Sequence, residues 1–178
     1  MKDEKEKGLK AEIPYKNIAA IVNLGCPKFC QGFLCVDKFP YDKRVISADV
    51  YEFLRMCSVQ GVRYESIYIK NLLEHLGNSL NFLILCRSVL KPGGVMKLVT
   101  DNAEFFPYYI PLALVGTGVG GHSTNSYALG MNQSVHLAIF TKLHLKNLFA
   151  EAGFERVSIW RLPKVLFARL EAVGFVPT

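Results

Sequence analysis

Three short segments carry side chains suited to holding a polar ligand at the end of a sheet. Asn23-Leu24-Gly25-Cys26 closes an apolar run, and a Gly there lets a ligand approach the backbone and the chain turn over it. Asp37 ends the next apolar run, where a carboxylate can accept both hydroxyls of a ribose. Asp49 ends a third, near enough in sheet space to accept from an adenine amino group. Strand-end Asp residues are common turn formers. Three such positions in succession nevertheless point to a site at the carboxyl edge of an open α/β sheet.

The elements that must position these residues follow from periodicity. Residues 18–24 read as a buried parallel strand, 33–37 as a second and 44–49 as a third. Residues 50–57 suit a short helix, 64–71 a fourth strand, and 78–90 an amphipathic helix. That helix runs into Lys91-Pro92-Gly93-Gly94, expected to be a sharp turn that sends a fifth strand, 95–102, back against it. Residues 103–140 carry many aromatics and a Gly-rich stretch, and read as an insertion or lid. Helical periodicity returns over 141–152, with Thr141 as N-cap and Gly153 closing the helix. Residues 154–162 and 164–173 alternate as two closing strands of a hairpin. Between the first two strands lie only about eight residues, short for a parallel crossover of about a dozen or more.

The chain has 178 residues, 51% of them apolar and 20% charged, which fits one folded domain, 1–178, with a real core. Its start, MKDEKEKGLK, lacks the apolar centre of a secretion signal, and residues 1–12 read as a flexible lead-in. No apolar run is long enough to span a bilayer, so the expected compartment is cytoplasmic, with no membrane partner. The net charge of +6 comes from scattered Lys and Arg without interleaved aromatics, which argues against a nucleic-acid partner. Five cysteines, Cys26, Cys30, Cys35, Cys57 and Cys86, are expected to be reduced. The spacing Cys26-x3-Cys30-x4-Cys35 matches neither paired C-x-x-C zinc sites nor common iron–sulfur runs. They therefore read as small buried hydrophobes, with no metal expected.

Arg87-x-Val89-Leu90-Lys91-Pro92-Gly93-Gly94 before an apolar strand resembles the segment preceding the fifth strand of class I S-adenosylmethionine-dependent methyltransferases. The stretch NLGCPKFCQGFLCVDKFP is similar to the compact first motif of a group of small methyltransferases, in which the first crossover is characteristically short. LLEHLGNSL, His136-Leu-Ala-Ile-Phe-Thr141 and Ala152-Gly153-Phe154 resemble later landmarks of the same group. The resemblance implies a Rossmann-like α/β fold with a mostly parallel seven-stranded sheet and an antiparallel last strand. It implies S-adenosylmethionine as cofactor, with Gly25 facing its methionine portion, Asp37 the ribose and Asp49 the adenine. Asn71 and Leu72 would flank the methyl donor.

Methyl transfer asks mainly for alignment and exclusion of water, and an oxygen or nitrogen acceptor adds a base with a pKa near neutral. His75, after the fourth strand, and His136, beside the lid, are the candidates; His122 reads as a solvated loop residue and Glu74 as structural or a surface charge. The expected reaction is methylation of a small-molecule or sugar-type acceptor. Pro27 stands where the family has a second Gly of the turn and removes a backbone donor. A methyltransferase-fold binding or partner module without activity is therefore the alternative. An NAD-dependent oxidoreductase is disfavoured, because no G-x-G-x-x-G follows the first strand. Gly116-Thr-Gly-Val-Gly-Gly121 lacks the Lys-Ser/Thr of a phosphate loop. Phe106-Pro107-Tyr108-Tyr109 is displaced from where DNA amino-methylating enzymes carry their Pro-aromatic signature.

Overall fold

A computed structural model describes residues 20–105, 137–163 and 169–178. The lead-in, most of the 103–140 insertion, His122 and His136 lie outside the described residues.

The chain runs β1 (Ile21–Leu24), β2 (Leu34–Asp37), β3 (Ile46–Ser47), α1 (Val50–Val59), β4 (Tyr64–Lys70), a 3-10 turn (Leu73–His75), α2 (Ser79–Ser88) and β5 (Leu90–Asp101). It continues through α3 (Lys142–Glu151), β6 (Glu155–Arg161) and β7 (Arg169–Phe175). The strands form one seven-stranded sheet in the order β3-β2-β1-β4-β5-β7-β6. Strands β1 to β5 pair in parallel, whereas β7 runs antiparallel to both β5 and β6. The mostly parallel sheet with its antiparallel last strand, expected from the sequence, is thus the observed fold.

Strand alternation sorts the side chains. Val22 and Leu24, Val36, Ile67 and Ile69, Met96 and Leu98, and Leu170 and Ala172 pack into one core with Phe53, Leu54, Phe82, Leu83, Leu145 and Phe149 of α1, α2 and α3. Their neighbours of opposite parity, among them Asn23, Cys35, Tyr68 and Lys97, lie outside that core. The helices start where local chemistry supplies an acceptor for orphan N–H groups. Asp49 accepts from the Tyr51 and Glu52 N–H groups, Asn78 from Asn81 and Thr141 from His144.

Two boundaries correct the sequence reading. Residues 91–94 are not a free helix-to-strand turn. Pairing of β5 with β4 already begins at Leu90 opposite Tyr64, and resumes with Val95 opposite Ser66. Residues 91–94 therefore bulge within the strand, because Pro92 cannot donate to the ladder and Gly93 takes a left-handed φ of +73°. A Cβ on Gly94 would lie 2.8 Å from the Lys91 carbonyl oxygen, so the bulge demands a residue without one. The third strand is also shorter than expected: β3 keeps only Ile46–Ser47, since residue 49 is already the helix cap.

The short first crossover is real. Residues 25–33 join β1 to the adjacent parallel β2 without a helix.

Candidate functional site

The sheet order turns between β1 and β4, and open α/β sheets bind ligands in the crevice outside the carboxyl ends of the strands at such a point. A cavity of about 1000 Å³ occupies that place. It is lined by Asn23, Gly25 and Cys26 from the end of β1, Asp37 from β2, Asp49 from the cap of α1, and Asn71, Leu72 and His75 from beyond β4. Every sequence-derived site residue among the described ones therefore meets in one cavity. His136 lies outside the described residues; Leu137, next to it, is on the cavity wall.

Gly25 is where the backbone makes room. It has a left-handed φ of +74°, and its N–H donates to the Val36 carbonyl at 2.8 Å. A Cβ there would come within 3.0 Å of Leu72 Cβ, across the mouth between β1 and β4. Gly25→Ala is expected to cost about 1–2 kcal/mol from the backbone conformation alone, with the contact against Leu72 adding to it. Urea unfolding measures the loss directly.

Asp37 accepts from the Phe39 N–H at 2.7 Å, which fixes its carboxylate at the cavity rim. A carboxylate has about four acceptor sites, so most of its capacity remains for a ligand. Asp49 is more committed than a strand-end residue would be. One oxygen accepts from Tyr51 N–H at 2.9 Å, and the other lies 3.9 Å from the Lys38 ammonium. Asp49→Ala is expected to lose about 1 kcal/mol of stability by removing the cap. Asp49→Asn keeps a good cap and changes only the charge at the cavity, so a thermal melt of the two variants separates the roles.

Asn71 takes a left-handed φ of +52°, which Asn tolerates better than most residues, and its N–H donates to the Val99 carbonyl. The chain then enters the 3-10 turn that carries His75, whose N–H donates to the Leu72 carbonyl at 3.0 Å. Tyr68 forms a wall, its ring 6.5 Å from that of Phe33, and burial raises its phenol above the ordinary value. Burial, followed by the hydrogen bond with Cys30, pushes the Cys26 thiol up to about 12. Neither group supplies an anion at neutral pH on its own.

Glu74 is the residue whose surroundings the sequence concealed. It is 1% exposed, accepts from Thr100 Oγ1 at 2.9 Å, and its carbonyl receives the Leu137 N–H at 2.7 Å. Burial raises its carboxyl above the usual range, more than Thr100 and His75 lower it, and Asp101 adds to the rise. Of the two readings of Glu74, the structural one therefore holds and the surface charge does not. Its only sequence signal was its place between Leu73 and His75 on a turn whose burial the chain itself does not reveal.

A twisted sheet of this order, with a crevice at the β1/β4 switch, an acidic residue ending β2 and a capping Asp after β3, defines a Rossmann-like class I methyltransferase fold. The chain belongs to the methyltransferase domain family, which matches residues 12–159. No curated protein matches its sequence. Among solved structures, a SAM-dependent methyltransferase from Archaeoglobus fulgidus is similar with a TM-score of 0.58 at 15% identity, over 90% of this chain and 87% of that one. A Haloferax volcanii protein solved with the Trm112 methyltransferase activator gives 0.57 at 12% identity, over 94% and 87%. Phosphoethanolamine N-methyltransferase 2 of Haemonchus contortus, solved with S-adenosyl-L-methionine, gives 0.56 at 9% identity, over 89% of this chain. The chain spans about half the length of that enzyme, 48%.

Proposed function

We propose that the protein binds S-adenosylmethionine in the β1/β4 cavity and transfers its methyl group to a small-molecule or sugar-type acceptor. The observation that carries this reading is the convergence of Asn23, Gly25, Cys26, Asp37, Asp49, Asn71 and Leu72 on one cavity of about 1000 Å³, large enough for a nucleoside with an amino-acid arm. The donor set fits such a group. Asp37 offers acceptors to vicinal hydroxyls, Gly25 lets the chain approach closely, and Lys28 and Lys70 on the same walls face a ligand carboxylate with positive charge. When bound, the cofactor supplies a methyl group already activated on a sulfonium.

The protein's part is then to orient and to exclude water. Leu72 and Leu76 give the mouth apolar walls, and Asn71 anchors the turn to β5 through its bond to Val99. His75, on the same rim, serves as base toward an oxygen or nitrogen acceptor, with His136 a second candidate beside Leu137. The scattered basic residues support a small acceptor over nucleic acid. Among the described residues no helix is long and apolar enough to cross a membrane.

A second reading, a catalytically inactive binding or partner module of the same fold that has lost the cofactor, is favoured by the first loop. The Gly25 and Cys26 N–H groups both point to the Val36 carbonyl, at 2.8 and 3.3 Å, and Pro27 has none. The turn therefore offers a ligand carboxylate no backbone donor from these three residues. Calorimetric titration with S-adenosylhomocysteine and S-adenosylmethionine, with NAD as control, decides between the readings. Micromolar binding of both sulfur ligands supports methyl transfer and opens an acceptor screen; no heat from folded protein leaves the binding module.

A further inference from the structure

Three sulfur atoms converge where the first crossover has no helix. Cys35 is buried on β2 and, by strand alternation, faces away from the core position taken by Val36. The loop over it carries Cys26 and Cys30, both partly exposed on the cavity wall. The Cys26 and Cys30 sulfurs are 3.6 Å apart, and all three lie within 4.8 Å of one another. The Cys30 backbone N–H donates to Cys35 Sγ at 3.3 Å, a bond that strengthens when the acceptor is a thiolate. Cys57 and Cys86 mark the contrast: both sit in the core packing, where Cys57 meets the Tyr64 hydroxyl at 3.5 Å.

We propose that Cys26, Cys30 and Cys35 form a three-thiolate site for a soft metal ion, Zn2+ or Cu+, that ties the helix-free crossover loop to β2. Thiolate ligands select these ions. A Zn–S distance of about 2.3 Å sets tetrahedral sulfurs about 3.8 Å apart. The Cys26–Cys30 pair is already near that spacing, and the remaining separations need to close by no more than about 1 Å, within reach of cysteine rotamers on a loop. A coordinated thiol is deprotonated by the ion itself. Lys28 and Lys38, on the same cavity, offset the net negative charge that three thiolates leave on a divalent ion. Three protein ligands leave one tetrahedral position for solvent or for a ligand entering from the cavity.

The ion would take over part of what a crossover helix does in a longer connection. Among the described residues, the backbone bonds that pin this loop run from Gly25 and Cys26 to the Val36 carbonyl, from Phe33 to that of Cys30, and from Tyr41 to that of Pro27. The spacing matches no paired knuckle because the third ligand comes from a strand. This site stands whether or not the cavity binds S-adenosylmethionine.

The test is a titration of the full-length, reduced and chelator-treated protein with Co2+ as spectroscopic probe, followed by Zn2+, with Cu+ in parallel. The expected result is one equivalent of Co2+ with thiolate-to-metal charge-transfer absorption, displaced by one equivalent of Zn2+ or Cu+. Cys26→Ser, Cys30→Ser and Cys35→Ser should each weaken binding by at least the about 10–100-fold that loss of an outer-shell partner costs, while Cys57→Ser leaves it unchanged. Alkylation mapped by mass spectrometry gives a second readout on the unmodified sequence: Zn2+ should protect Cys26 and Cys30. Absence of the absorption from folded, reduced protein would overturn the site. So would binding that survives all three substitutions, or a Cys26–Cys30 disulfide in protein that takes up no metal once reduced.

Discussion

Asp37→Ala should weaken S-adenosylhomocysteine binding by about 30- to 1000-fold while the protein stays folded. The magnitude follows from two hydrogen bonds to a charged acceptor at about 1.5–3 kcal/mol each, discounted because solvent reaches the half-buried rim of the cavity. The alanine also removes the acceptor of the Phe39 N–H, 2.7 Å away, and so disturbs the turn after β2. Asp37→Asn controls for that. Its amide oxygen still accepts from Phe39, while the net charge and half of the acceptor capacity are gone. If the carboxylate holds the ribose, both variants lose affinity and only the alanine loses stability. Equal affinities for Asn and wild type, measured by calorimetry alongside thermal melts, would move the ribose elsewhere.

The second large effect concerns Glu74 and pH. Its carboxyl is raised in the folded state by burial, so the folded protein holds a proton at pH values where the unfolded chain has released it. Between the ordinary Glu value of about 4.3 and the raised folded one, the native state binds more protons than the unfolded state. Stability therefore falls as pH rises through that window, by up to about 1.4 kcal/mol per pH unit for a single group. Glu74→Gln removes the proton exchange and keeps the shape and the acceptor for Thr100. Denaturant melts from pH 4 upward should show wild type losing stability relative to the Gln variant, a gap that grows and then levels off above the folded value. Parallel profiles would show that the carboxyl is ionised in the native state. Glu74→Ala is the destabilising control: it leaves the buried Thr100 hydroxyl without its partner, at a cost of about 1–3 kcal/mol, in addition to the cavity.

Much of this fold was legible along the chain. Buried parallel strands read as short apolar runs, and the runs containing Val22, Val36, Ile67 and Met96 became β1, β2, β4 and β5. Thr141 begins a helix as its N-cap, a chemistry confined to a few neighbouring residues, whereas the same role of Asp49 and Asn78 emerges only from the structure. The bulge at residues 91–94 reads as a turn for the opposite reason. Pro and Gly announce an irregular backbone, but whether it reverses the chain or interrupts a ladder depends on the strand alongside, here Tyr64 and Ser66 of β4.

The candidate site divides in the same way. Gly25 and Asp37 stand at the ends of β1 and β2, and strands of an open parallel sheet end on one edge; Asp49, which reads as a strand end, instead opens α1 as its cap. The burial of Glu74 could not be read, since it arises from Thr100 and residue 137, brought to it across the sheet and by the returning chain. The cysteines are the clearest case. Their spacing argued for independent buried hydrophobes, yet strand alternation turns Cys35 toward a loop that folds Cys26 and Cys30 over it. Local propensity, capping and hydrophobic period determined by themselves which elements form and where ligand-facing residues stand on them, because each acts over a few residues. Only the tertiary structure decided which of those residues share a cavity, which carboxyl is dry and which thiols meet, because burial and sulfur–sulfur distance depend on residues far apart in the chain.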